Sequence, residues 1–345
     1  MDTRAVEAEL HALACRILDA HHDAYDPWLY SYCGELAKPD DVGRYLRYQL
    51  DHLALGGVDP RGAAVLDAGC GFGLALVTYG LLGASRLCGI DNHRGMVETV
   101  HAYQAELPRE LAEKFEVTYG DVSETPYDDG EFDIVLSIEA ISHYLDVDRF
   151  ISEAARVLRP GGALIVSDGN NGLNPLIRRR THRIWDAFES GEPGTAVNGH
   201  VVGRSYADRR EAILERAVPA LDASARAKLA ALTSGMVEED LIRAGERYAG
   251  TGELPEPARG RHDVPVSPEG QVMERLFDPY ELADQIEAHG FSCRVYGYWG
   301  GAQGSPLLRS ANALLARASR ASIYTARSFR IAGIRTDSAR SEHGQ

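Results

Sequence analysis

No apolar run in these 345 residues approaches the roughly 20 needed to cross a bilayer, which speaks against a membrane-spanning helix. Cysteine is scarce and scattered: Cys15, Cys33, Cys70, Cys88 and Cys293 are odd in number and form no CxxC pair. That usage fits a reducing, cytoplasmic setting, and excludes both a disulfide framework and a cysteine zinc site. No His/Cys cluster has ligand spacing, so no metal is expected. Basic residues are outnumbered, 36 Lys and Arg against 51 Asp and Glu, for a formal charge of −15. Proteins that grip a phosphate backbone present basic faces, so a nucleic-acid partner is not expected. The N-terminal 22 residues are acidic and amphipathic, unlike a signal peptide. Internal repeats and low-complexity tracts are absent. What is present is a 44% hydrophobic composition, enough to build a large core, with or without an inserted subdomain.

The stretch Ala63–Gly73, AAVLDAGCGFG, organises the chain. A short apolar run ends in Asp67, glycines follow at Gly69, Gly71 and Gly73, and an apolar helical pattern (Leu74, Leu76, Val77, Leu81) begins at once. That order predicts a buried strand, a tight glycine turn and a helix start. Further strands are predicted over 86–90, 116–119, 132–138 and 163–167, with helices over 94–104 and 148–158 and a turn at Pro160–Gly162. Strands alternating with helices imply an α/β fold, a Rossmann-like doubly wound sheet whose strands run mostly parallel. From 171 to 274 the pattern becomes helical (176–188, 207–217, 224–232, 238–248) between Gly/Pro-rich pieces, and is read as an inserted helical cap. The core resumes over 275–336, with a strand over 291–299 and a β-like SFRIAGIR segment at Ser328–Arg335. Upstream, helices are predicted over 4–22 and 41–55. Between them, YDPWLYSYC reads either as a loop covering the core edge or as a lid, since aromatics offer apolar area with a polar tip.

Five blocks in order and spacing, VLDAGCGFG, CGIDNHRGM, VTYGD, FDIVLSIEAISHYLD and RVLRPGGALIVSD, resemble the class I S-adenosylmethionine-dependent methyltransferases, in their small-molecule branch. The resemblance covers Ala63–Asp168 and extends to Phe277–Trp299. It implies an antiparallel last strand, an N-terminal lid over residues 1–60, and S-adenosyl-L-methionine as cofactor. It also implies that the loop of Asp67, Gly69, Cys70, Gly71 and Gly73 wraps the methionine moiety, with Asp67 helping to hold its ammonium group. Asp91 falls where the family acid binds both ribose hydroxyls, with Asn92 and Met96 on the adenine side. Asp121 matches the acceptor of the adenine amino group, with Val122 beside it, and Ser137 and Ile138 lie against the methionine part. A nicotinamide site prefers GxGxxG with an acid about twenty residues on; GCGFG preceded closely by Asp67 fits a sulfonium cofactor better.

Methyl transfer from a sulfonium is an in-line displacement, so the protein aligns the acceptor, excludes water and, where needed, removes a proton. His143, just after the fourth strand, is the candidate base because histidine titrates near neutral pH. Glu139, four residues earlier, would share a helical face with it. The competing reading has His143 capping or packing the next helix. Asp168, Asn170 and Asn171 follow the fifth strand as candidate acceptor-binding residues or as a polar turn, and Trp28 of the aromatic stretch joins them. Arg178, Arg179 and Arg180 read as a solvated helix face. From Arg294 to Arg335 the chain carries arginines and no acid, and an amphipathic helix over Leu307–Ala326 is expected to pack on its own core, with self-association as the next reading. The expectation is a cytoplasmic monomer or homodimer, bound to no membrane. It moves a methyl group onto a small-molecule acceptor, oxygen or nitrogen before carbon, in natural-product or other secondary metabolism. The alternative is a catalytically inactive S-adenosylmethionine-binding regulatory protein.

Overall fold

The computed structural model describes residues 3–257, 264–299, 306–307, 310, 314–315 and 320–336. In chain order the first elements are α1 (Thr3–Ala20), α2 (Pro27–Leu36), α3 (Pro39–Gly56), β1 (Ala64–Ala68), α4 (Leu74–Leu81), β2 (Arg86–Asp91), α5 (Arg94–Tyr103), α6 (Arg109–Ala112), β3 (Phe115–Tyr119), β4 (Phe132–Ile138), α7 (Val147–Val157) and β5 (Leu158–Asp168). Then come α8 (Pro175–Ser190), the short strands β6 (Ala196–Val197) and β7 (His200–Val201), α9 (Tyr206–Ala217), α10 (Ala223–Leu232) and α11 (Glu238–Thr251). The chain closes with α12 (Pro279–Ala288), β8 (Phe291–Tyr298) and β9 (Ser328–Arg335). The chain divides into two units: the described parts of Met1–Ile141, Asp146–Gly169 and Asp278–Gln345 form one, and those of Ser142–Leu145 and Asn170–Phe277 the other.

The first unit is built on a seven-stranded sheet in the order β3-β2-β1-β4-β5-β9-β8. β1 to β5 run parallel, and β9 lies antiparallel between β5 and β8. Val65, Leu66, Leu87, Val135, Leu136 and Leu164 are buried, as expected of parallel strands covered on both faces. The order reverses between β1, which pairs with β2 on one side, and β4 on the other. Such a switch point, at the carboxyl ends of the strands, is where open α/β sheets hold ligands. α1 and α3 join the same apolar cluster as the sheet: Leu10, Ile17 and Leu46 pack with Val65, Ile134 and Ile165.

Two local expectations are corrected. YDPWLYSYC is not a loop. Asp26 accepts from the Trp28 amide at 2.8 Å and Pro27 occupies the first helical position, so α2 starts there, because proline lacks only an amide that a helix start leaves unpaired. Nor do Pro160, Gly161 and Gly162 form a turn ending a helix. α7 stops at Val157, before the proline, and the three residues lie inside β5. Phe132 pairs with Leu158 and Ile134 with Ala163, so residues 159–162 bulge opposite Asp133. Gly161 supplies the required left-handed turn at φ +77°. Of the helix expected over Leu307–Ala326, residues 308–309, 311–313 and 316–319 lie outside the described residues, and Arg320–Thr325 forms a 3-10 turn. The Thr336 amide donates to the Gly290 carbonyl at 2.8 Å; residues 337–345 lie outside the described set.

The second unit is mostly helical. Ile213, Leu214, Val218, Leu221, Leu229 and Leu241 form one core, and Trp185, Val264, Val266 and Val272 another. Arg210 is completely buried; it pairs with Glu189 and donates from Nε to the Ala230 carbonyl at 2.8 Å. A buried charge of this kind needs such partners. The β6–β7 hairpin was not anticipated from the helical pattern.

Candidate active site

The glycine loop leaves β1 after Asp67 and is held by its neighbours' main chains. The amides of Gly69 and Cys70 donate to the Ile90 carbonyl at 2.8 and 3.2 Å. Gly71 stands at φ +52°, and a Cβ there would meet only the Met96 sulfur, at 3.8 Å. The loop therefore presents bare backbone on that side, as close approach of a ligand requires. Gly73 opens α4 at φ +66°, and a Cβ on it would come within 3.0 Å of the Phe115 ring. Between them, Phe72 is pinned twice: Tyr103 donates its hydroxyl to the Phe72 carbonyl at 2.5 Å, and Tyr32 of α2 meets the Phe72 ring edge-on at 5.8 Å. On the outer face of α2, Trp28 is 62% exposed. The helix is moored to α5, with the Asp26 amide donating to Thr99 Oγ1 at 2.9 Å.

Two carboxylates flank the loop and differ in what holds them. Asp91, ending β2, accepts from the Gly71 amide on Oδ2 and from the His93 amide on Oδ1, both at 2.8 Å. Each oxygen keeps a second acceptor position, which is what a vicinal diol needs. Asp67, 4% exposed, has its pKa pushed up to about 8 by burial and then by Asp91. A buried carboxyl in that condition fits a cation as its missing partner, and the methionine ammonium is one. Burial, Asp67 and Asp91 also push the Cys70 thiol well above its usual range, which keeps it a neutral wall and not a nucleophile. Met96 lies in the first turn of α5, capped by His93, and Asn92 is exposed beside it. Asp121 folds back to accept from the amide and hydroxyl of Ser123 at 2.8 and 2.7 Å, with Val122 buried behind it. The residues present fit S-adenosylmethionine.

The other half of the sheet edge carries side chains from several separate elements. Ser137 is buried inside β4, with Ile138 following. Next, Glu139 stands at φ +53°, its amide bonded to the Ser167 carbonyl at 2.7 Å. Its carboxylate accepts from Tyr48 Oη at 3.1 Å and from the Gly169 amide at 3.0 Å. Although the residue is exposed, its carboxyl group lies among Tyr48, Asp168 and Arg330. Burial and the neighbouring Asp168 raise its pKa to about 7, against the lowering effect of Tyr48, Gly169 and Arg330. Arg330 of β9 is 3% exposed and lies between aromatic rings, 3.8 Å from Tyr298 and 5.2 Å from Tyr48. His52, completely buried on α3, meets Tyr48 edge-on at 4.4 Å, and burial and Arg330 hold it neutral.

Glu139 and His143 do not share a helical face. Glu139 is left-handed, and Ile141–His143 is a 3-10 turn. His143 belongs to the second unit, exposed, with Nδ1 3.2 Å from the Val272 carbonyl. Asp168, fully buried, closes β5 in the first unit, whereas Asn170 and Asn171 open the second. Asn171 accepts from the Leu173 amide at 3.2 Å, the polar-turn arrangement. Sequence reasoning missed Tyr48, Tyr103 and Arg330. Only Arg330 carried a signal, as a charged residue within the apolar stretch of SFRIAGIR, between Phe329 and Ile331. Among the described residues no group of His, Cys, Asp and Glu could hold a metal ion, and no helix is long and apolar enough to cross a membrane.

Comparison with known proteins bears on the same stretch. Residues 66–166 match the family described as Methyltransferase domain. A 2-methyl-6-phytyl-1,4-hydroquinone methyltransferase of Synechocystis sp. is 30% identical over 194 residues, 48% of this chain and 57% of that one. A ubiquinone biosynthesis O-methyltransferase of Chelativorans sp. is 34% identical over 139 residues, 38% of this chain and 53% of its own. An uncharacterized 37.1 kDa protein in transposon TN4556 of Streptomyces fradiae is 33% identical over 166 residues, 47% of this chain and 45% of that one. The chain thus spans about half the length of the curated relatives it matches. Sheet order, glycine loop and flanking acids agree with that match: residues 66–166 form a class I S-adenosylmethionine-dependent methyltransferase domain.

Proposed function

We propose that this protein transfers a methyl group from S-adenosylmethionine to a small-molecule acceptor. The observation that carries the reading is the Asp91 carboxylate, tied to the Gly71 amide of the loop and to His93 while keeping acceptor positions for a ribose diol. When bound, the cofactor supplies an electrophilic methyl carbon on a sulfonium sulfur. Asp67 would meet its ammonium group, Asp91 its ribose, and Asp121 and Met96 its adenine side. The acceptor atom is oxygen or nitrogen before carbon, and the relatives named as O-methyltransferases support oxygen. The expected setting is natural-product or other secondary metabolism. For the second unit we propose the role of an acceptor-specificity module, because the chain enters it directly from the end of β5. Asn170, Asn171 and His143 are its candidate contacts, and Trp28 that of α2. The intact loop and acids leave nothing that favours an inactive binding protein. Calorimetry with S-adenosylhomocysteine tests the cofactor site, with micromolar-range binding expected. A mass-spectrometric screen of hydroxylated and amino metabolites for a methyl-sized gain tests the reaction. No binding of S-adenosylhomocysteine would overturn the reading.

A further inference from the structure

We propose that Glu139 takes the acceptor's proton at methyl transfer, and that Tyr48 and Gly169 are the positioning groups that aim its carboxylate. The inference rests on the methyl-transfer reading above and deepens it. Glu139 stands at the carboxyl end of β4, the strand next to β1 at the switch point. It is one of three described non-glycine residues with a positive φ, the others being His21 and Asn198. Strained backbone of this kind persists where the surroundings over-determine it, and it concentrates at functional sites. Here the surroundings are explicit. The Glu139 amide is fixed to Ser167, one carboxylate oxygen takes the Tyr48 hydroxyl and the other takes the Gly169 amide. A Cβ at position 169 would stand 3.3 Å from Oε2, so glycine keeps that contact uncrowded. With one donor on each oxygen, both retain an acceptor position.

The groups that bear on its charge come from every neighbouring element. Asp168 of β5 opposes a negative Glu139, while Tyr48 of α3, the Gly169 amide and the buried Arg330 of β9 favour it. Behind them, Tyr298 of β8 and the neutral His52 of α3 pack against Arg330 and Tyr48. The balance keeps Glu139 close to neutrality, where one group can both accept and release a proton. His143 lacks this support: its ring nitrogen faces a main-chain carbonyl and its backbone is unremarkable.

The step balances simply. The acceptor's lone pair forms the bond to the methyl carbon, the carbon–sulfur pair stays with sulfur, and the acceptor's proton passes to the Glu139 carboxylate. The substrate class that needs this is a nucleophile with a proton to lose, a hydroxyl or an N–H amine. An acceptor already deprotonated, or a tertiary amine, would not use it.

The test needs no knowledge of the acceptor. The full chain, labelled with 13C at the glutamate carboxyl carbons, is titrated by NMR alone, with S-adenosylhomocysteine, and with sinefungin, in which an amine-bearing carbon replaces the sulfonium sulfur and the amine stands where the methyl group was. Loss of one resonance in Glu139→Gln assigns the signal. Sinefungin is expected to lower the Glu139 midpoint by about one pH unit or more, as a cation placed within a few ångströms does. S-adenosylhomocysteine should leave it nearly unchanged. Tyr48→Phe, which keeps the ring but removes the donor, should raise the midpoint in the free protein. Binding of both ligands with an equal response, or none, at Glu139 overturns the proposal. An unmoved midpoint in Tyr48→Phe removes Tyr48 as a positioning residue. Failure of either ligand to bind would instead overturn the methyl-transfer reading.

Discussion

The two halves of the sheet edge are made by different means. Around β1 and β2 the walls are main chain: amides of Gly69, Cys70, Gly71 and His93, all within one stretch of sequence, with two acids set among them. Around β4, β5 and β9 the walls are side chains gathered from afar, with Tyr48 from α3, Glu139 after β4 and Arg330 from β9. The first construction suits a ligand that never changes, since backbone groups cannot be substituted away. The second is open to change one side chain at a time, as a varied acceptor demands.

The sharpest way to break this contrast is Asp91→Ala. It removes a carboxylate that holds the Gly71 and His93 amides as well as the expected ribose contacts. Charge-assisted hydrogen bonds contribute about 1.5–3 kcal/mol each, so losing both ribose contacts should lower S-adenosylhomocysteine affinity on the order of 10²–10⁴-fold. Calorimetry checks this, and an unchanged affinity would remove Asp91 from the site. Asp67→Asn acts on the same half with the opposite sign for stability. Its pKa is raised from 3.8 to about 8 in the fold, so its destabilising effect is absent below about pH 4 and grows as pH rises toward 8. The variant should therefore melt a few degrees higher than the parent at pH 8, since about 1 kcal/mol shifts a large domain by about 2–4 °C. The two should melt together at pH 4, and scanning calorimetry across that range decides it.

Smaller effects separate the halves further. Tyr103→Phe frees the Phe72 carbonyl and should weaken S-adenosylhomocysteine binding by about tenfold or less, the value of roughly 1 kcal/mol. Gly169→Ala works on the other half. By crowding Glu139 Oε2 it should shift the Glu139 titration while changing S-adenosylhomocysteine affinity less than about twofold, within the usual ±0.5 kcal/mol of a substitution that leaves a site alone. A large affinity loss in Gly169→Ala would mean that the two halves are one mechanical unit.

The same contrast explains what could be read from the sequence. The loop, β1, β2 and their acids are local, so the sequence blocks that resemble the family already singled out Asp67, Gly71 and Asp91, and the ends of β1 and β2 fell within about a residue of those observed. Ser328–Arg335 was legible as a strand because it is short, apolar and β-branched in part. α2 was ambiguous because its aromatics mask the helical signal, although Asp26-Pro27 was a start signal in plain view. The bulge in β5 was hidden because Pro-Gly-Gly is the usual wording of a turn. Tyr48 could not be found at all: nothing in α3 reveals that its hydroxyl meets a residue 91 positions away.

The placement of β9 has a consequence for how the chain must be assembled. Among the described strands β8 pairs with the sheet through β9 alone, and β9 is made after it. Until Ser328–Arg335 has emerged from the ribosome, β5 has a bare edge and β8 has no strand to pair with. Arg330 then arrives with that strand, late in synthesis, and the side of the site it supports is finished last. The parallel strands β1 to β5 and the glycine loop can already be in place, whereas a pairing between residues as distant as Ser167 and Arg330 closes slowly. During translation the nascent protein should therefore acquire S-adenosylhomocysteine binding before it acquires a settled Glu139.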